Sequence, residues 1–200
     1  MKKKCIIALF TALIFSLILT TQVSGQTKFG TRTESFLKIF ASGNYHMKAS
    51  VTEDGVKSDM EVFAKDGKIA SIITSQGETI RMVLRDNKTY LIMDSVKMIL
   101  VTPMQDTSEA GAVDTSKMSF TGSGTANFAG KNLPYEEYTE DHEKSQFFID
   151  GSKLAGIRSI IAGGKPTDTV ISILDQNVQD SAFTVPSSGY QIQDMSGFNF

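Results

Sequence analysis

The chain has 200 residues, 40% of them apolar and 21% charged, with 20 basic against 22 acidic side chains and a net charge of −2. That balance leaves no basic stripe, which argues against nucleic acid as a partner and gives no attraction toward anionic lipid headgroups. The single cysteine, Cys5, lies in the first apolar run, so the rest of the chain has no thiol for a disulfide, a thiolate metal site or a nucleophile.

Lys2, Lys3 and Lys4 precede an almost unbroken apolar run over 5–19, and Val23, Ser24 and Gly25 follow, with small residues where a signal peptidase reads them. This is the layout of a secretory signal peptide over 1–25, cleaved before Gln26, and it sends the protein to a periplasmic, cell-surface or secreted location. Two alternatives stay open. Lipidation at Cys5 would need a lipobox cysteine that precedes the apolar run instead of following it. An uncleaved anchor would have about 15 apolar residues, short of the ~20 that span a bilayer. Cleavage removes three lysines and no acid, taking the net charge from −2 to about −5. The remaining 26–200 form one domain with a sizeable core.

The first element after the leader is a helix over 33–41, where Phe36, Leu37, Ile39 and Phe40 gather on one side and Gly43 supplies the stop. From Asn44 to Thr102 the apolar period changes to two. Tyr45, Met47, Ala49 and Val51 alternate with polar residues, as do Met60, Val62 and Ala64, and then Ile80, Met82 and Leu84. Asp54-Gly55, Asp66-Gly67, Gln76-Gly77 and Asp86-Asn87 separate these runs with residues that tolerate the positive φ of tight hairpins. The expectation is an antiparallel meander of about six strands. Residues 103–117 have no apolar period and read as a long loop or a loop with a short helix. A second sheet-like half follows: Met118 and Phe120 open it, 135–139 and 145–149 flank a polar turn at Asp141-His142, and 154–161 with 169–174 make a last hairpin. Ala182 to Pro186 reads as a short extended tail segment.

The layout resembles the LolA/LolB-like superfamily of exported bacterial proteins. The resemblance rests on Phe40-Ala41-Ser42-Gly43-Asn44-Tyr45-His46-Met47, on Glu61-Val62-Phe63-Ala64-Lys65-Asp66-Gly67-Lys68, on Asp86-Asn87-Lys88-Thr89-Tyr90-Leu91-Ile92-Met93, and on the ending Phe183-Thr184-Val185-Pro186-Ser187-Ser188-Gly189-Tyr190. It implies a mainly β (α+β) fold: a strongly curved antiparallel sheet of about ten or eleven strands, an incomplete barrel, with the N-terminal helix and a short helical insert covering its concave face. It also implies a lipid or other lipophilic molecule held between sheet and helix. The chain has no Trp, and no polar latch of the known carriers can be matched in it residue by residue, so the fold carries over and the transport activity does not.

Strand alternation assigns a hydrophobic pocket to Tyr45, Met47, Met60, Val62, Ile72, Met82, Leu84, Tyr90 and Ile92, with Phe36 and Phe40 from the helix; a register error of one would exchange the faces. Met47, Met60, Met82, Met93 and Met98 are the strongest pointer to a ligand, since methionine suits cavities that accept varied apolar guests; core packing is the plainer role for them. Phe198 and Phe200 read as a lid, a docking patch or a loose tail. The acidic stretch Glu136-Glu137 to Glu143 does not make a metal site, because neighbours on a strand point to opposite faces. Asp106, Glu109 and Asp114 lack EF-hand spacing. His46 and His142 have no serine elbow beside them, and Gly163-Gly164-Lys165-Pro166 is a turn and no phosphate loop. The sequence therefore predicts a non-enzymatic, cofactor-free and metal-free monomer. Its partner is expected to be a lipid or lipophilic molecule, or an envelope protein if the half-barrel is a filled scaffold.

Overall fold

The computed structural model describes residues 29–195 apart from Asp54, 105–110 and 141–142. The segment 1–25 expected to be a signal peptide, His142, Asp106, Glu109, Phe198 and Phe200 lie outside the described residues. Helix α1 spans Glu34–Ala41 and buries Leu37 and Phe40. Six strands follow: β1 (Tyr45–Glu53), β2 (Val56–Lys65), β3 (Lys68–Ser75), β4 (Glu78–Arg85), β5 (Lys88–Met93) and β6 (Met98–Pro103). A single 3-10 turn at Thr115–Lys117 leads into β7 (Ser119–Phe128), β8 (Lys131–Glu140), β9 (Glu143–Asp150), β10 (Lys153–Ile161) and β11 (Thr167–Asp175). A second 3-10 turn at Asp180–Phe183 precedes β12 (Gln191–Asp194).

All twelve strands belong to one sheet in the order β12-β6-β5-β4-β3-β2-β1-β11-β10-β9-β8-β7. Two antiparallel meanders, β1 to β6 and β7 to β11, join where β1 pairs with β11. The two outer strands do not meet, so the sheet is curved and unclosed, an incomplete barrel. β12 is the one parallel member, lying along β6. The sequence misses β12 and the full length of β7, and it reads 182–186 as extended where the chain makes the turn at Asp180–Phe183.

The turn chemistry behaves as the residues dictate. Asp66, Gly67, Gln76, Gly77, Asp86 and Asn87 all have positive φ, the pairing of signs that a two-residue hairpin needs to match the twist of its strands. Each such hairpin sets residues opposite whose numbers sum to an odd value: Lys65 with Lys68, Ser75 with Glu78, Arg85 with Lys88. The face that even-numbered residues occupy therefore alternates from strand to strand. Even residues point inward on β2 and β4, odd residues on β1, β3 and β5.

Three apolar clusters result. The inner one, beneath α1, contains Leu37, Phe40, Tyr45, Met47, Met60, Val62, Ala64, Ile69, Leu84, Tyr138 and Phe147 among its buried members. On the outer face Ala70, Val83, Ile92, Ile99 and Val101 are sealed by Phe183, with Val178, Val185 and Tyr190 packed around them, so the segment between β11 and β12 crosses the back of the sheet. A smaller outer cluster stacks Phe128 on Phe148 at 4.4 Å and is topped by Arg158.

Candidate functional site

Among the described residues the cover over the inner face has two parts. One is α1. The other is the returning stretch around Gly111 to Val113, where the Val113 amide donates to the Phe40 carbonyl and Gly111 sits so close to Ala64 that an added Cβ would come within 2.6 Å. The start of α1 is tied to β8 by polar groups. Glu136, 4% exposed, accepts from the Arg32 amide at 3.1 Å, the Thr33 amide at 2.9 Å and the Thr33 hydroxyl at 2.6 Å. Tyr138 beside it accepts from the Gly30 amide at 2.9 Å and hydrogen-bonds the Thr33 hydroxyl. Burial pushes the Tyr138 phenol up from its ordinary value, against the pull of those hydrogen bonds. A carboxylate at a helix start also faces the positive end of the helix dipole. Glu137, on the opposite face as strand alternation requires, is held below the usual carboxylate range by Gln146 and then Lys144.

The structure divides the residues that the sequence assigns to one pocket. Phe36, Phe40, Tyr45, Met47, Met60, Val62, Met82 and Leu84 lie on the inner face or on the helix above it. Phe40, Tyr45, Met47, Met60, Val62 and Leu84 are buried there by one another, and burial pushes the Tyr45 phenol to about 12. Ile72, Tyr90 and Ile92 are on the outer face: Tyr90 and Ile92 belong to the cluster sealed by Phe183, and Ile72 pairs with Glu61 and Arg81. The physical reason is the alternation at two-residue turns, which places even residues of β3 and β5 outside. The five strand methionines all face inward. Met47 and Met60 are buried, whereas Met82, Met93 and Met98, farther from α1, are half-buried.

A cavity of about 500 Å³ opens elsewhere, between β10 and β11 of the second meander. β10 and β11 pair only through Gly156 to Ser159 against Thr167 to Val170. Beyond Gly156 they part, and each carries a bulge there, at Leu154/Gly156 on the β9 side and opposite Lys48/Ala49 on the β1 side. The slot is walled by Leu154, Ala155, Val170, Ile171 and Leu174, with Phe36 of α1 at its inner end and Lys131, Asp150 and Lys153 at its mouth. Lys131 and Asp150 pair at 2.8 Å. Of the residues the sequence singles out as a pocket, only Phe36 reaches this slot. No sequence signal marks it, because it arises from two bulges that no local pattern announces.

The chemistry of the remaining polar groups is that of surface pairing. His46 stacks on Phe63 at 4.5 Å and touches Glu61 at 2.8 Å. Among the described residues no group of three or more His, Cys, Asp or Glu is placed to hold a metal ion. Among the same residues no helix is long and apolar enough to cross a membrane.

No family profile and no curated protein matches the chain by sequence. Solved structures do match by shape. An uncharacterised conserved protein from Thermus thermophilus superposes with a TM-score of 0.54 at 8% identity, covering 81% of this chain and 98% of that one, so the two share a fold. The similar structures also include a LolA superfamily protein from Nitrosomonas europaea (TM-score 0.40, 10% identity, 78% of this chain and 99% of that chain). MucB of Pseudomonas aeruginosa, in its complex with MucA, is another (TM-score 0.45, 13% identity, 78% of this chain), and this chain spans only 61% of the MucB length.

Proposed function

We propose that the chain is an exported, non-catalytic binding protein that holds a lipid or other hydrophobic molecule where α1 meets the sheet. The observation that carries the reading is the slot of about 500 Å³ between the parted strands β10 and β11, apolar along its walls and reaching Phe36. That volume falls in the range of small-molecule sites, which are mostly apolar with a few polar groups at one end. The half-buried Met82, Met93 and Met98 lie on the same inner face, on β4 to β6 and apart from the slot.

A second reading is favoured by a different observation. Phe40, Tyr45, Met47, Met60, Val62 and Leu84 fill the space beneath the helix, as they would in an envelope interaction module that takes no ligand. Organic extraction of the purified protein with mass spectrometry, and titration with an apolar fluorescent probe, separate the two. The binding reading expects a co-purified lipid or probe binding that Ala155→Trp, which fills the slot, abolishes while the fold survives. A clean extract with no probe binding supports the filled scaffold.

A further inference from the structure

The last strand of the first meander and the first strand of the second are treated differently. Only β6 and β7 of the twelve strands contain no ionisable side chain, and they are the outermost strands of the two meanders. β6 ends in Pro103 and is covered by β12, whose residues Gln191 to Asp194 pair with Met98 to Val101. No strand among the described residues pairs with the other edge of β7. It runs for ten residues as Ser-Phe-Thr-Gly-Ser-Gly-Thr-Ala-Asn-Phe, with the side chains of 119–121, 123, 125 and 127 exposed.

A sheet edge offers a row of unpaired backbone donors and acceptors, and proteins that stay single guard it with lysine, proline, bulges or short strands. β7 has no lysine and no proline. Its guards are at the ends: a bulge between Phe120 and Gly122, and Arg158, which donates to the Asn127 carbonyl at 3.0 Å. Between them 122–126 are left unguarded.

We infer that β7 is a pairing edge for a second copy of this chain, forming an antiparallel ladder across a two-fold axis at Gly124. Past the bulge, even residues of β7 share the outer face with Tyr135 and Phe148, so a continuous sheet must match even with even and odd with odd. Centred on Gly124, this brings Ser123 opposite Thr125 of the second copy and Gly122 opposite Ala126 of the second copy. Hydroxyl pairs across strands are favourable, and no like charges meet. The strand offers no charge and no side-chain pocket by which to select a foreign segment, and the isologous arrangement satisfies both edges with one contact. The ladder is short, so the association is weak and reversible.

Sedimentation velocity of the purified protein across a concentration series tests this. The expected result is a monomer–dimer equilibrium. Thr125→Lys, which restores the missing guard at an exposed position, is expected to raise the dissociation constant about tenfold or more, while the uncharged β-branched Thr125→Val leaves it unchanged or lowers it. Backbone amide signals within 122–126 should shift with concentration in the wild type and not in Thr125→Lys. A wild type that stays monomeric at millimolar concentration overturns the inference, as does a dimer that Thr125→Lys leaves intact. Far-UV circular dichroism shows that the variants are folded.

Discussion

Replacing Glu136 with alanine removes the acceptor that docks the start of α1 onto β8. The loss falls on three donors at once: the Arg32 amide, the Thr33 amide and the Thr33 hydroxyl, with Thr33 fully buried. A hydrogen bond to a charged acceptor contributes about 1.5–3 kcal/mol, and a buried donor left without a partner costs about 1–3 kcal/mol. The three bonds share one carboxylate and are not additive, and the Thr33 hydroxyl keeps Tyr138 as a partner. A net destabilisation of about 3–4 kcal/mol is therefore expected, or roughly 6–16 °C in Tm for a domain of this size. Gly30→Ala attacks the same junction from the other side, since its Cβ would lie 2.2 Å from Glu136 Oε2. Thermal and guanidinium unfolding of both single variants and of the double variant give the coupling. If the junction acts as one unit, the double variant loses about as much as the worse single, a coupling of more than ~1 kcal/mol. Additive losses, or a Glu136→Ala penalty below about 1 kcal/mol, would refute the assignment of Glu136 as the anchor of the helix.

Other outcomes follow from the same geometry. Tyr45 has a folded value near 12 against 10.0 unfolded, so it stabilises the fold fully below pH 10 and loses about 2–3 kcal/mol as pH climbs toward 12. Guanidinium midpoints at pH 8 and pH 11.5 should diverge less in Tyr45→Phe than in the wild type. Asp94 is held below its ordinary 3.8 by hydrogen bonds from Tyr190 and then Arg81, so its contribution is present above that value and fades as pH falls through the lowered one. Asp94→Asn should remove part of the acid sensitivity of thermal unfolding between pH 5 and pH 2. Gly156→Ala would set a Cβ 2.3 Å from the Thr169 carbonyl and 2.4 Å from Phe128 Cζ, and is expected to cost about 2–3 kcal/mol in chemical denaturation.

Much of the fold can be read from residue order, because the hairpin turns are written in the residues that tolerate positive φ and the strands between them alternate cleanly. The helix is equally plain, since its apolar residues recur at helical spacing up to Gly43. Strand faces are harder. Counting by twos within a strand is sound, but carrying even numbers across Asp66-Gly67 or Asp86-Asn87 exchanges inside for outside, which is how Ile72, Tyr90 and Ile92 come to be grouped with Met82 and Leu84. β7 escapes full recognition because Gly122, Gly124 and four hydroxyl residues give it no apolar rhythm. Glu136 looks like one of several solvated acids; its role depends on Arg32 and Thr33, more than a hundred residues earlier in the chain. The slot depends on two opposed bulges, which are properties of pairing and not of either strand alone.

The seam where β1 meets β11 joins residues such as Lys48 and Ser172, 124 positions apart, and the outer cluster is not sealed until Phe183 arrives. Each meander can zip up by itself from neighbouring hairpins, yet neither hides its oily surface alone. Contacts between such distant parts of a chain form slowly, because the intervening loop must first be drawn closed. A growing polypeptide lacking its final stretch would therefore remain pliable, and the body would lock only once nearly the whole length had emerged.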